Sequence, residues 1–207
     1  MIGRQIKCSD CGFGYISGIP DNISYHKKYP DKIVNGILAR HVKSDKVIWK
    51  AGSFWITVVN YASPISQKKR AQETARIAHL DTPFDFAPYH ANEPLDERNV
   101  HVFLLHHRTR IVGFSIIDRR SKIWKCPWEQ YENRKPQELP HPPPIWSVGL
   151  IWVHKLHRKK GFAGQLVLEA TSFLGTNIQS VGWYSPFTEL GKAMVRRLCP
   201  EYIFIAK

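Results

Sequence analysis

One stretch limits the folds open to this chain more than any other. Ile145 to Val153 is a continuous apolar run after Pro142-Pro143-Pro144 and reads as a strand, and Gly164 to Leu174 is a helix-like run. Between them lies Val153-His154-Lys155-Leu156-His157-Arg158-Lys159-Lys160-Gly161-Phe162-Ala163, a basic turn containing glycine. A strand that feeds such a turn into a helix exposes unpaired backbone N–H groups at the positive end of a helix dipole, where a pyrophosphate binds. Gly161 and Ala163 matter because larger side chains would hold phosphates away from the backbone. The plainer alternative is a basic surface turn ahead of an ordinary amphipathic helix.

The chain has 207 residues, which suits one sizeable domain with a small appendage, and a hydrophobic fraction of 43% supports a packed core. Its formal charge of +13 admits a polyanionic partner, with non-specific DNA contact the concrete case. A solvated basic surface around a cofactor site accounts for the charge equally well. No apolar run reaches transmembrane length and no N-terminal stretch has the regions of a signal peptide, so no membrane association is expected. The expectation is an intracellular protein, cytoplasmic (nucleoid-associated if bacterial or viral) or nuclear if eukaryotic. In such a reducing setting paired cysteines bind metal more often than they crosslink.

Residues 1–36 are turn-rich (Gly3, Gly12, Gly14, Gly18, Pro20, Pro30, Gly36) and need a staple to hold a fold. Val47 to Tyr61 reads as one or two strands around Gly52, and Ser63-Pro64 opens a helix running through Lys69, Ala71, Ala75 and Ala78. In that helix Gln67-Lys68-Lys69-Arg70 reads as a solvated face rather than a nucleic-acid contact. Val100–His107 and Arg110–Asp118 form a hairpin about Arg108-Thr109. Residues 119–144 read as a long polar loop, functional or mobile. Strand 145–153, helix 161–174, strand 178–184, helix 188–198 and strand 201–206 follow. The order predicts an α+β mixed sheet flanked by helices, with right-handed crossovers in its C-terminal half.

Cys8-x2-Cys11 followed by His26 gives three of the four ligands of a tetrahedral zinc site. Pro30 stands where a fourth ligand would fall; His41, Asp31 or water could take that place. The alternative is two incidental thiols beside a surface histidine. Cys126 and Cys199 stand alone.

Arg158-x-x-Gly161-x-Ala163 after a strand-ending valine resembles the acetyl-CoA signature of the GCN5-related N-acetyltransferases (GNAT). The whole layout resembles the sister-chromatid cohesion acetyltransferases, which join a small zinc finger to a GNAT domain. The resemblance is carried by Cys8, Cys11, Gly12, Tyr15 and His26, by Asn35-Gly36-Ile37 and Val47-Ile48-Trp49, and by Ile151-Trp152-Val153. Arg158-Lys159-Lys160-x-x-Ala163 and Ser185-Pro186-Phe187-Thr188-Glu189-Leu190-Gly191-Lys192 complete it. It implies a zinc-finger-like segment over 1–36 and a GNAT-like domain over 37–207, with acetyl-CoA as cosubstrate and zinc as a metal. Where that family places a strand serine, a helix acid and a loop aspartate, this chain has Gly149, Leu168 and Ser185, with Ser147 and Glu169 close by but out of register.

Acetyl transfer to an amine needs a neutral amine, a polarised thioester carbonyl and an acid for the leaving thiolate. The expected cofactor-binding residues are Ile151, Trp152, Val153, Arg158, Lys159, Lys160, Gly161, Phe162 and Ala163. Tyr184 or Ser185 is the expected acid, and Glu169, Glu189 or His154 the expected proton acceptor. The leading expectation is an acetyl-CoA-dependent N-acetyltransferase acting on a protein lysine. The rivals are a catalytically weak relative that binds nucleic acid or protein, and a small-molecule amine acetyltransferase whose loop 119–144 closes as a lid.

Overall fold

A computed structural model describes residues 4–8, 14–17, 19–20, 31–39, 42–81, 89, 91–92, 99–133, 137–140 and 142–206. Strands β1 (Gln5–Lys7) and β2 (Gly14–Ile16) pair antiparallel as a small separate sheet. The other strands are β3 (Ile37–Leu38), β4 (Lys46–Ala51), β5 (Phe54–Val59), β6 (His101–His107), β7 (Arg110–Arg120), β8 (Ile123–Pro127), β9 (Gln137–Glu138), β10 (Ile145–Val153), β11 (Gly182–Tyr184) and β12 (Tyr202–Ala206). They form one sheet in the order β4-β5-β6-β7-β10-β11-β12-β8-β9, with β3 also pairing β7. Among the described strand pairs only β10–β11 and β11–β12 are parallel. Helices α1 (Ile65–Asp81), α2 (Trp128–Glu132), α3 (Phe162–Phe173) and α4 (Glu189–Leu198), 3-10 turns at Lys155–His157 and Ile178–Ser180, and a further helical turn over 31–35 complete the described elements.

Local sequence explains the boundaries. Arg108, at φ 53°, and Thr109 make the two-residue turn between β6 and β7. Helix α1 buries Gln67, Ala71, Thr74, Ala75 and Ala78, a stripe at helical spacing whose small alanines let the helix lie close on the sheet. Thr188 caps α4, its Oγ1 accepting from the Gly191 N–H at 3.0 Å.

Two cores lie on opposite faces of the sheet. One gathers Phe103, Val148, Leu166, Val167, Trp183 and Ile203 beneath α3. The other gathers Leu104, Phe114 and Trp152 beneath Ala71, Ala75 and Ala78 of α1. Strand β10 contributes to both in an order that changes midway. Val148 pairs with Ile117, but Leu150 pairs with Ile116, so Gly149 is an extra residue, a β-bulge. Before it, Val148 packs on the α3 side; after it, Ile151 packs on that side while Leu150 and Trp152 turn to the α1 side.

Three expectations change. Residues 119–144 are not simply a loop: β8 runs antiparallel to β12, and Ile123, Cys126 and Trp128 are core residues. A five-residue strand holding a lysine and a proline is too short and too polar to stand out from periodicity. Residues 178–184 begin with a 3-10 turn, Ile178–Ser180, and only Gly182–Tyr184 is strand. The Gln67–Arg70 face is only partly solvated. Gln67 is buried and donates to the Ser44 carbonyl at 2.9 Å, and Arg70 pairs with the near-buried Asp45 at 2.7 Å. Both side chains tie α1 to the turn before β4.

Candidate functional site

The parallel ladder between β10 and β11 is short. Ser147 pairs with Gly182 and Val148 with Trp183, after which β11 ends at Tyr184 while β10 continues to Val153. On its other edge β10 stays paired with β7 out to Val153–Gly113. Alternate backbone groups of the last five residues therefore face a gap that no described strand fills. The Gly149 bulge stands at the mouth of that gap.

Strand β10 leads into a turn held from several sides. Trp152 Nε1 donates to Asp81 Oδ2 at 2.7 Å, at the C-terminus of α1. Arg158 folds back over the strand end, its Nε donating to the Val153 carbonyl at 2.7 Å and its Nη2 pairing with Asp81. His154 is buried; its Nε2–H donates to the Ile33 carbonyl at 2.7 Å and its Nδ1 accepts from the Leu156 N–H at 3.3 Å. With both ring nitrogens engaged, His154 positions the turn and has no free nitrogen for a proton. Lys159 (φ 60°) and Gly161 (φ 82°) then place two left-handed residues around Lys160. A Cβ at Gly161 would meet nothing within 4 Å, so the space over the turn is open. Gly161 is the N-cap of α3, no side chain caps it, and the first N–H bonded back to its carbonyl is that of Gln165. The N–H groups of Phe162, Ala163 and Gly164 thus point from a bare helix N-terminus into that space. This fits a pyrophosphate.

The nine expected cofactor residues divide by role. Ile151, Trp152 and Val153 form the free strand end, with Trp152 and Val153 buried. Lys159, Gly161 and Ala163 shape the turn, and Lys160 Nζ is drawn back to the Leu156 carbonyl at 2.9 Å. Arg158 braces the turn through Asp81. Phe162 lies tilted against Phe54, ring centroids 4.4 Å apart, and Phe54 stacks on His107 at 4.3 Å. His157 lies against both Phe162 and His107, at 6.3 and 5.0 Å between centroids. Burial, with the charges of His107, Lys160 and His154 adding to it, pushes its pKa down to about 4.

The expected catalytic side chains are placed differently. Tyr184 ends β11 at the gap, its ring 5.1 Å from the guanidinium of Arg120. Ser185 follows it and is exposed. Glu169 is half buried on α3 and accepts from Gln165 Nε2 at 2.7 Å, a bond along its own helix. Glu189 is exposed in the first turn of α4. No described contact joins Glu169 to Tyr184. Of the metal candidates, Cys11 and His26 lie outside the described residues, as does His41, and no group of three metal-ligating side chains occurs among the described ones.

Three further features had no sequence signal. Asp81 lies 71 residues from Trp152, and nothing local marks it as an anchor. Gly149 announces no bulge. Asp118, 6% exposed, sits inside an apolar strand, with Arg120 Nε and Nη2 both donating to its Oδ2 at 3.0 and 2.6 Å. Burial works against the Arg120 charge, but the bond to Asp118 and its charge outweigh that and raise the Arg120 pKa.

A sheet that splays between two parallel strands, with a bare helix N-terminus below the opening, matches solved structures closely enough to decide the fold. The fold is that of the GCN5-related N-acetyltransferases. The acetyltransferase domain of xEco2 bound to a CoA conjugate superposes with a TM-score of 0.64, at 18% identity, over 80% of this chain and 98% of that one. A second structure of that domain gives 0.62 at 20% identity, over 81% and 98%. In sequence, the N-acetyltransferase ECO1 of Candida glabrata is 24% identical over 216 residues, spanning 90% of this chain and 81% of that protein. No protein-family model matches the chain. The chain therefore has a GNAT-like acetyltransferase fold and resembles the N-acetyltransferase ECO1 and the xEco2 acetyltransferase domain. No described helix is long and apolar enough to cross a membrane.

Proposed function

We propose that this chain is an acetyl-CoA-dependent N-acetyltransferase whose acceptor is a protein lysine. One observation carries the reading: the unpaired end of β10 leads through a single 3-10 turn, Lys155–His157, into an open left-handed turn and an uncapped helix N-terminus. Acetyl-CoA has an amide-bearing arm and a pyrophosphate. The free strand edge at Gly149–Val153 offers hydrogen bonds to such an arm, and the N–H groups of Phe162, Ala163 and Gly164 offer them to the pyrophosphate. Ile151 to Val153 supply backbone N–H groups for the carbonyl that must be polarised. Tyr184, at the mouth of the gap, is the first candidate to donate a proton to a departing thiolate, and Ser185 is the next. Glu169, held by Gln165, and Glu189 remain the carboxylate candidates for proton acceptance, and water must bridge either to the gap. The likeness to the xEco2 acetyltransferase domain, solved with a K105-CoA conjugate, supports a protein lysine over a small amine.

Calorimetry with acetyl-CoA, followed by mass spectrometry of the chain incubated with it, tests this reading. Saturable binding and acetylated lysines are expected. Absence of binding overturns it. Binding without transfer to any amine favours the rival, a catalytically weak binding module.

Two finer parts of the proposal rest on sequence. Zinc held by Cys8, Cys11 and His26 would staple residues 1–36, leaving 37–207 as the acetyltransferase domain. Metal analysis should find zinc that is lost in the Cys8→Ser, Cys11→Ser double variant. Non-specific DNA contact follows from the +13 charge, and its affinity should fall steeply with salt as condensed counterions are released. An intracellular location accords with both.

A further inference from the structure

A row of side chains crosses the sheet on the face opposite α3, just below the gap. Asp118 on β7 pairs with Ser147 on β10, Ser147 with Gly182 on β11, and Gly182 with Phe204 on β12. Directly paired residues project to the same face, so the row has an acid at one end, an aromatic at the other and two small residues between. The apolar cluster under α1 draws on β3, β5, β6, β7 and the end of β10, but on no described residue of β11 or β12. Tyr184, Tyr202 and Phe204 on this face are accordingly only half buried.

Asp118 is the anomaly of the row. Arg120 places both of its donated hydrogen bonds on Oδ2, while Oδ1 is buried and has no hydrogen-bond partner among the described residues. A buried carboxylate oxygen without a donor carries a substantial cost, and native structures seldom retain one without a use. The Arg120 guanidinium and the Tyr184 ring lie together over this end of the row.

We propose that Asp118 Oδ1 is the hydrogen-bond acceptor for the amine of the acetyl acceptor, with Arg120 and Tyr184 forming the entrance that the amine passes. The proposal deepens the acetyltransferase reading and rests on it. Chemistry favours this pair over a lone carboxylate. The nucleophile has to be the neutral amine, and an unpaired carboxylate would instead stabilise the ammonium. Asp118 with Arg120 is neutral as a pair. It accepts an N–H bond without adding net negative charge, and it leaves the nitrogen lone pair free to face the gap. The half-buried Tyr184 ring beside Arg120 provides apolar surface for the methylenes of a lysine side chain.

The test uses the full chain with N-acetyl-lysine amide as the acceptor probe. Steady-state transfer is measured for the wild type, Asp118→Asn and Arg120→Gln, alongside calorimetry with acetyl-CoA. Asp118→Asn should raise the KM for the amine at least tenfold and leave the acetyl-CoA affinity within twofold. Arg120→Gln leaves the carboxylate without its counter-charge. It should leave the amine KM unchanged or lower it, and move the acidic limb of the kcat profile to higher pH. A purely structural Asp118 would weaken both substrates together and would not produce opposite responses in the two variants. Unchanged amine KM in Asp118→Asn overturns the proposal, as does a parallel loss of acetyl-CoA binding in both variants. If the wild type binds acetyl-CoA but transfers nothing, direct NMR titration with the amide decides. Binding that Asp118→Asn abolishes sustains the site, and no binding, or binding that Asp118→Asn leaves intact, overturns it. If the wild type does not bind acetyl-CoA, the acetyltransferase reading fails first, and the same titration still decides the amine site. Should Asp118→Asn not fold, Arg120→Gln carries the test through its pH shift: no shift overturns the proposal.

Discussion

The indole of Trp152 and the carboxylate of Asp81 meet at 2.7 Å, joining the penultimate residue of β10 to the last residue of α1. Arg158 shares the same carboxylate. One acid thus fixes both the strand end and the turn after it. Trp152→Phe keeps the buried ring contact and removes the N–H. The expected cost is about 1–2 kcal/mol, or roughly 2–4 °C in Tm per kcal/mol for a chain of this size. Thermal unfolding of the variant checks it. Asp81→Asn should cost more, since it also leaves Arg158 without its counter-ion, and the two effects should be non-additive in a double variant.

Gly161→Glu should abolish acetyl-CoA binding by calorimetry, because it sets a carboxylate and its bulk at the open N-terminus of α3. It also carries the strain of a side chain at φ 82°. Gly161→Ala separates these causes. It keeps the strain, about 1–2 kcal/mol of stability, but adds no charge and meets nothing within 4 Å, so binding should survive. Equal binding by wild type and Gly161→Glu would move the pyrophosphate elsewhere.

Four histidines, three at or against the turn and His101 at the start of β6, make stability depend on pH in one direction. His157 has its pKa lowered to about 4 from 6.5, and His101, His107 and His154 are also lowered, in each case chiefly by burial. Between these pH values the unfolded chain binds protons that the folded chain refuses. Stability contributed by the neutral rings is therefore complete above pH 6.5 and is lost as pH falls toward 4. His157→Gln should flatten that decline. After discounting for solvent screening the His157 share is on the order of 1 kcal/mol. Tm measured across pH 4–7 for both proteins is the comparison, and an unchanged slope would remove His157 from the account.

Gly182 has no room for a side chain. A Cβ there would lie 2.4 Å from Ser147 Oγ and 3.2 Å from Ser147 Cβ, and Ser147 is fully buried. Gly182→Ala should destabilise by about 1–3 kcal/mol through overpacking. Adding Ser147→Ala removes the closer atom and should restore part of the loss. Denaturant unfolding of the two single variants and the double variant closes the cycle.

Much of this architecture could be read from residue order. The run Ile145–Val153, the basic turn and the small residues Gly161 and Ala163 state a strand, a turn and a helix, because local periodicity and turn chemistry fix all three. The hairpin at Arg108-Thr109 and the helix after Ser63-Pro64 are legible for the same reason. Strand β8 is not, since Ile123 and Cys126 are buried only because β12 lies beside them. Asp81, Asp118 and Arg120 escape notice for a related reason: each acts through partners set by sheet register and helix packing. His154 reads as a titratable surface group until the Ile33 carbonyl occupies its Nε2. The tertiary context, absent from any local window, decides those roles.

The two-pair ladder at Ser147 and Val148 also has a mechanical consequence. The portion of the sheet made by β11, β12 and β8 is tied to the rest there, by the chain from β7 into β8, and by the packing of α3 and α4. In this respect the molecule resembles tweezers with a short joint and unequal arms, because β10 runs five residues past Val148 and β11 one residue past Trp183. A small twist at the joint would change little at Ser147 and most at Val153, the far end of the longer arm, so this one ladder sets the width of the slot.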